Sequence, residues 1–199
     1  MKRLGILLSG RGSNFEAIAD QVASGALEAA IAVVIGNRPE ARGLMAAQAR
    51  GYRAVSLPSK GVDRETYDRM LIAELRKQEL DLICLAGYLR VLTATFVREF
   101  PNRILNIHPS LLPAFPGLDA QRQALDYGVK LTGCTVHFVD EYLDAGPILL
   151  QAAVPVIDND TEESLSARIL QQEHRIYSDA IRIVLSGNYR IQGRRVILK

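Results

Sequence analysis

Some residue types are rare in this sequence and its apolar runs are short, and each of these features excludes a class of protein. It contains no tryptophan and only two cysteines, and its longest uninterrupted apolar runs are of the length of AAIAVVI at 29–35. Such runs are far shorter than the roughly 20 apolar residues of a membrane-spanning helix, so we expect no membrane partner. Cys84 and Cys134 lie inside apolar runs, which is typical of reduced core thiols. The first residues do not form a signal peptide, and we therefore expect a cytoplasmic location.

Charge of one sign is also scarce, and so are metal-binding motifs. The 24 basic residues nearly balance 22 acidic ones, giving a net charge of +2. This balance argues against nucleic acid as a partner, because binding duplex phosphates takes a clear basic excess. No HExxH motif or close cysteine pair is present, so we expect no metal. With 48% apolar residues among 199, we expect a single globular domain, 1–199, without an internal linker.

Apolar runs of strand length alternate with segments of helical period. This alternation predicts an α/β fold with a doubly wound, mostly parallel sheet and an antiparallel C-terminal part. The predicted strands lie at about 3–9, 29–36, 53–57, 81–86, 103–108, 131–140 and 147–156, with a short strand pair in the tail. The predicted helices lie at about 13–24, 40–50, 63–79, 93–99, 119–127 and 162–186.

The loop after the first predicted strand reads Ser9-Gly10-Arg11-Gly12-Ser13-Asn14 and leads at once into a helix. Glycines allow the backbone to approach a ligand, and a helix start offers free N–H groups, so the loop is a candidate phosphate site. Neither the dinucleotide fingerprint nor the Walker pattern is present. A tight turn in which Ser13 or Asn14 merely caps the helix is an equally open interpretation.

The fifth predicted strand ends in Asn106-Ile107-His108. Residues two apart on a strand share a face, so both polar side chains leave the same side at the carboxyl end of a central strand. A histidine there can exchange protons near neutral pH, and an amide beside it can donate to a developing oxyanion. Because two polar residues interrupting an apolar strand are costly without a use, a functional role is favoured.

Two carboxylates are further candidates. Asp144 stands in a loop before Ala-Gly-Pro, where an aspartate usually serves the turn, and it matters chemically only if the loop folds over His108. Glu173 falls on the apolar stripe of the long helix, where a carboxylate needs a partner or a polar ligand. His137, within a predicted strand, is interpreted as a structural histidine.

Two arginines and a serine leave alternatives open. Arg64 begins a helix, where a cation faces the positive end of the dipole, and Arg90 follows the fourth strand; each is either a surface charge or a wall of a site for an anionic ligand. Ser110, His108 and Asp144 could form a hydrolase triad, but the GxSxG motif that would support it is absent.

Taken together, these motifs resemble those of the phosphoribosylglycinamide formyltransferases, folate-dependent enzymes of purine biosynthesis. The resemblance covers nearly the whole chain and implies their Rossmann-like formyltransferase fold. It rests on LSGRGSN, the DRETYDR helix start, LAGYLRVL, NIHPSLLPAFPG, TVHFVDEYLDAGPI and the QQEH helix. The NIHPSLLP block is specific to the folate formyl-transfer superfamily. From the short length we expect none of the extra domains of its tRNA-modifying and deformylating members.

The resemblance implies formyl transfer from 10-formyltetrahydrofolate to the amine of glycinamide ribonucleotide. It implies His108 as general acid/base, Asn106 as the oxyanion-stabilising amide and Asp144 as the carboxylate that tunes His108. It implies that residues 1–100 form a ribonucleotide-binding half and 101–199 a catalytic and folate-binding half. The implied ribonucleotide ligands are Gly12, Ser13, Asn14 and Glu173. The implied folate pocket consists of Arg64, Leu89, Arg90, Val91, Leu92, Asn106, Val139, Asp140, Glu141, Tyr142 and Leu143.

One departure from the family concerns the segment after Pro116-Gly117. Many relatives carry histidines there, whereas this chain has Leu118-Asp119-Ala120-Gln121. Asp119 would repel a phosphate, so the departure leaves open a catalytically silent module that binds nucleotide or folate. Another transferase or hydrolase that uses 10-formyltetrahydrofolate is a second alternative. We expect small-molecule substrates as partners and a monomer or homodimer.

Overall fold

Parallel strands form where the first part of the chain carries short, continuous apolar runs. The computed structural model describes residues 1–199, which divide into two units, Met1–Leu105 and Asn106–Lys199. The strands of the first unit are β1 (Lys2–Leu8), β2 (Ala29–Gly36), β3 (Ala54–Ser56) and β4 (Leu82–Leu85). Its helices are α1 (Ser13–Ala23), α2 (Arg42–Ala49), α3 (Arg64–Arg76) and α4 (Ala94–Glu99).

The strand order of the first unit creates a place for a ligand. The strands run β3-β2-β1-β4, and all the pairs among them are parallel. The order therefore reverses direction at β1, and the right-handed crossovers place α1 and α2 on one face and α3 and α4 on the other. Ligands of such sheets bind beyond the carboxyl ends of the strands at this reversal, which here are the loops after β1 and β4.

The second unit is built around antiparallel strands and one long helix. β5 (Ile104–His108) crosses the division, and it is followed by α5 (Ala120–Tyr127), β6 (Leu131–Phe138), β7 (Ile148–Pro155), α6 (Glu162–Ser186), β8 (Tyr189–Gln192) and β9 (Arg195–Leu198). The order is β5-β6-β7-β9-β8. β6 and β7 are antiparallel, as are β8 and β9, whereas β7 and β9 are parallel.

Helix α6 has strong signals at both ends. Thr161 accepts a hydrogen bond from the backbone N–H of Ser164, whose side chain in turn accepts from the backbone N–H of Thr161. This reciprocal capping box satisfies two N–H groups that the helix leaves unpaired. At the other end, Gly187 adopts the left-handed conformation with φ 70°, which a glycine adopts without steric cost.

The fold class predicted from the sequence is confirmed, with a mostly parallel sheet and antiparallel strands towards the C-terminus. Predicted and observed elements agree in order and differ by a few residues at their ends. Helix α3, for example, ends at Arg76 instead of 79, and Glu79 has a left-handed φ of 49° that no helix accommodates. No helix is long and apolar enough to cross a membrane. The single-domain organisation and its two functional halves stay predictions.

Candidate active site

The polar residues at the end of β5 belong to a cluster of polar side chains in the second unit. Asn106 is half-buried, and His108 is only 5% exposed. The Nδ2 of Asn106 lies 3.1 Å from the Nε2 of His137 on β6, the neighbouring strand. The Nδ1 of His108 lies 3.4 Å from the Oδ2 of Asp144. Residues that are far apart in sequence therefore form one polar cluster.

Both ring nitrogens of His108 face oxygen atoms that can only accept hydrogen bonds. Its Nε2 lies 2.8 Å from the backbone carbonyl of Phe115, and its Nδ1 faces the carboxylate of Asp144. A neutral imidazole carries one N–H and can satisfy one of these neighbours, whereas the imidazolium donates to both. The two acceptors therefore hold the orientation of the His108 ring.

Asp144 is held in place by its own backbone and by the loop after β5. Its φ of 48° is in the left-handed region, which aspartate tolerates better than most residues, and its Oδ2 accepts the backbone N–H of Gly117 at 2.8 Å. Gly146 fixes the return of the chain, because a Cβ there would lie 1.8 Å from the carbonyl oxygen of Phe138. The loop that carries Asp144 is therefore folded against the end of β5.

His137 belongs to this cluster, although the sequence analysis treats it as a structural residue. Its Nδ1 lies 2.9 Å from the carbonyl oxygen of Phe138, an acceptor, so Nδ1 carries the hydrogen. The Nε2 of the neutral ring then accepts from the amide of Asn106, which fixes the orientation of that amide. Burial lowers the pKa of His137, against the opposing effects of the Phe138 carbonyl and Asp144, and keeps the ring neutral.

Only one feature of the sequence indicates that His137 belongs to the polar cluster. Like Asn106 and His108, it interrupts an apolar strand with a polar side chain. The backbone groups of Phe115 and Gly117 have no side-chain signal at all, so sequence reasoning missed them.

The candidate phosphate loop lies in the first unit, where α1 begins. Gly12 occupies the N-cap with φ 83°, so neither Ser13 nor Asn14 stands at the capping position. A Cβ at Gly12 would come within 2.6 Å of the Cα of Gly43, whose N–H donates to the carbonyl of Gly10 at 3.1 Å. The loop is therefore packed against α2, and the first N–H groups of α1 have no side-chain cap.

The loop after β4 carries the first part of the predicted folate pocket, again in the first unit. The backbone N–H of Leu89 donates to the Oγ of Ser9 at 2.8 Å, which ties this loop to the end of β1. The Nη2 of Arg90 donates to the carbonyl of Val62, and its guanidinium lies 4.7 Å from the centre of the Tyr67 ring. Leu89 and Val91 are exposed, Leu92 is buried, and Arg64 is exposed at the start of α3.

The remaining predicted ligands lie in the second unit. Residues 139–143 form the loop after β6, in which Tyr142 is 76% exposed and donates its N–H to the Oδ1 of Asp140. Glu173 is 8% exposed on α6, as its place on the apolar stripe predicts. Together with burial, which is the larger effect, its charge raises the pKa of Cys134 to about 12, so this thiol stays protonated.

Two further residues concern the alternative functions, a serine hydrolase and a catalytically silent binding module. Ser110 is fully buried, and its hydroxyl donates to the backbone carbonyls of Ala114 and Phe115 instead of to His108, as a nucleophile would. Asp119 is the N-cap of α5 with φ 55° and makes no side-chain capping bond.

No group of three or more histidine, cysteine or acidic side chains is arranged to hold a metal.

Comparison with known proteins gives consistent matches. The formyl transferase family model matches residues 2–181. The phosphoribosylglycinamide formyltransferase of Escherichia coli K12 is 44% identical over 173 residues, which are 86% of this chain and 82% of that protein. The crystal structure of glycinamide ribonucleotide transformylase 1 from Symbiobacterium toebii superposes with a TM-score of 0.97 at 51% identity, covering 100% of this chain and 94% of that one.

A longer relative matches as well. The trifunctional purine biosynthetic protein adenosine-3 of Drosophila melanogaster is 46% identical over 189 residues, which are 94% of this chain. The matched region spans only 14% of that protein.

We predict that Gly12→Ala destabilises the first unit, because alanine would adopt a left-handed φ and its Cβ would contact the backbone of Gly43. The expected loss is about 1–3 kcal/mol in the free energy of unfolding. Urea denaturation measures it. The matched control is Gly10→Ala, where a Cβ meets nothing within 4 Å. Equal losses in the two variants would contradict this account of the loop.

The depressed pKa of His137 predicts a pH-dependent stability. Below its ordinary pKa of 6.5, the unfolded chain binds a proton at this residue that the folded chain does not. The free energy of unfolding therefore falls as the pH drops from 6.5 towards the lowered pKa, by at most about 1.4 kcal/mol per pH unit. His137→Gln should remove this part of the slope in urea titrations at about pH 7.5 and 5.5. Parallel slopes for wild type and variant would rule out a neutral, buried His137.

Proposed function

The chain belongs to the formyl transferase family, and we propose that it transfers the formyl group of 10-formyltetrahydrofolate to the amine of glycinamide ribonucleotide in purine biosynthesis. The observation that carries this proposal is the cluster of Asn106, His108 and Asp144 at the end of β5. An acyl transfer to an amine needs an oxyanion donor and a group that moves a proton. The cluster offers both among side chains that lie within ion-pair or hydrogen-bond distance of one another.

Asn106 is the proposed donor to the formyl oxygen. One N–H of its amide is engaged by the Nε2 of His137, and this leaves the second N–H of the same nitrogen for the substrate. Because the amide is anchored before the substrate arrives, it needs no reorientation when negative charge develops on the oxygen. A single donor of this kind contributes about 10²–10³ in turnover.

His108 is the proposed proton carrier. The amine loses a proton when its nitrogen bonds to the formyl carbon, and the folate nitrogen gains one when its bond to that carbon breaks. An imidazolium held by Asp144 can supply the second proton and recover the first, so that the ring returns to its starting state. To reach the substrate, the Nε2 of His108 has to give up its bond to the carbonyl of Phe115.

The binding residues are assigned by the family resemblance and agree with their local chemistry. The loop of Gly12, Ser13 and Asn14 offers backbone N–H groups suited to the phosphate of the ribonucleotide, and Glu173 offers a buried carboxylate for its hydroxyl groups. For the folate, exposed apolar side chains such as Leu89 and Val91 suit an aromatic ring system, and Arg64 suits a carboxylate. The donor set therefore fits 10-formyltetrahydrofolate, which supplies the formyl group when bound.

The remaining assignments are part of the same proposal. We assign to the folate pocket the residues Arg64, Leu89, Arg90, Val91, Leu92, Asn106, Val139, Asp140, Glu141, Tyr142 and Leu143. A cytoplasmic location and a monomeric or homodimeric state stay predictions.

Asp144→Asn tests the proposed chemistry. The variant keeps an oxygen for the N–H of Gly117 but removes the charge that faces His108, so we expect the turnover number to fall by about 10²-fold or more. The assay follows release of deformylated folate in the presence of glycinamide ribonucleotide. His108→Ala should lose activity to a similar extent.

The matched control is Asp126→Asn, which removes an exposed carboxylate of α5 in the same unit. We expect it to retain wild-type turnover. Absence of turnover by the wild type at high protein concentration would overturn the proposed transferase. Folate deformylation that is independent of the ribonucleotide would identify a hydrolase instead.

A further inference from the structure

The first unit contains a buried carboxylate that none of the assigned roles uses. Asp68 lies on α3, four residues after Arg64, and its side chain is fully buried. Burial raises the pKa of Asp68, although Thr93 and Arg90 counteract this effect. Its Oδ1 has no hydrogen-bond partner in the protein. Because a buried acid with an unsatisfied oxygen costs folding free energy, its presence indicates a role other than stability.

The other oxygen of Asp68 binds the end of the loop after β4. Its Oδ2 accepts the backbone N–H of Thr93 at 2.7 Å. Thr93 directly follows residues 89–92, which are assigned to folate, and its side chain caps α4 by accepting the N–H of Phe96. The carboxylate therefore fixes the backbone at the point where the folate loop ends and α4 begins.

Other polar contacts hold the beginning of the same loop. The N–H of Leu89 donates to the Oγ of Ser9 at 2.8 Å, and the Nη2 of Arg90 donates to the carbonyl of Val62 at 3.0 Å. Both contacts lie at the first two residues of the assigned segment. The bond to Asp68 is the contact that holds its far end, so the segment is fixed on both sides.

Helices α3 and α4 are also joined by contacts that do not involve Asp68. Arg76 of α3 donates twice to the carboxylate of Glu99 of α4, at 2.7 and 2.8 Å. Thr95 of α4 donates to Glu65 of α3 at 3.1 Å. These contacts are on the surface and leave the loop untouched. Asp68 differs from them because it acts on the backbone of the loop itself.

We propose that Asp68 is a positioning residue for the folate co-substrate. By holding the N–H of Thr93, it fixes the backbone of residues 89–92 in the conformation that binds the folate. It touches neither substrate and acts only through the loop. The inference rests on the proposed function, because it concerns the folate site assigned there.

The test measures how Asp68→Ala and Asp68→Asn bind a stable 10-formyl folate analogue and glycinamide ribonucleotide. Asp68→Ala removes the acceptor, so we expect the dissociation constant and KM for folate to rise about ten-fold. The dissociation constant of the ribonucleotide and kcat should stay within about two-fold of wild type. Asp68→Asn keeps an oxygen but loses the charge, and it should weaken folate binding only about three-fold.

The matched control is Glu99→Gln, which weakens the contact between α3 and α4 but leaves the loop in place, and should keep the wild-type folate affinity. If Asp68→Ala does not fold, the nearly isosteric Asp68→Asn decides. Equal folate affinity in wild type and Asp68→Asn, or equal weakening of folate and ribonucleotide binding, would overturn the inference. A wild type that binds no folate would reject the proposed function and this inference with it. Turnover with unchanged folate affinity in both Asp68 variants would reject the positioning role alone.

Discussion

The carboxylate of Asp144 lies within ion-pair distance of two buried imidazoles, 3.4 Å from His108 and 3.8 Å from His137. A largely buried charge is costly unless it is paired and hydrogen-bonded. Here the N–H of Gly117 donates to the carboxylate at 2.8 Å, and the two imidazole rings face it. The left-handed backbone of Asp144 and the close packing of Gly146 against Phe138 keep the carboxylate in this position. The geometry of the whole cluster depends on this interaction.

The two histidines share a carboxylate and yet have different hydrogen-bond partners. His108 has an oxygen acceptor facing each of its ring nitrogens, the carbonyl of Phe115 and the carboxylate of Asp144. His137 has one acceptor, the carbonyl of Phe138, and one donor, the amide of Asn106, so a single proton satisfies it. Burial reinforces the neutral form of His137 by lowering its pKa. In the proposed mechanism, one ring therefore carries the mobile proton and the other positions the amide.

In the first unit, the proposed binding loops are brought together by the order of the strands. Its strands reverse order at β1, so the loops after β1 and β4 stand next to each other, and the bond between Ser9 and Leu89 joins them. The same bond links the proposed phosphate loop to the proposed folate loop. Exposed apolar side chains on this unit, such as Leu89 and Val91, are available to a ligand with an aromatic ring.

The sequence by itself determined the class of fold and the spacing of the central residues. Continuous apolar strands, the helical period of the segments between them, and the two-residue spacing of Asn106 and His108 are local signals, because backbone periodicity acts over a few residues. The tertiary structure alone decided that Asp144 reaches His108, that His137 holds Asn106 from 31 residues away, and that backbone atoms of Phe115 and Gly117 complete the cluster. These contacts join distant segments or use groups common to every residue, so their positions depend on how the loops pack and leave no distinctive pattern in the sequence.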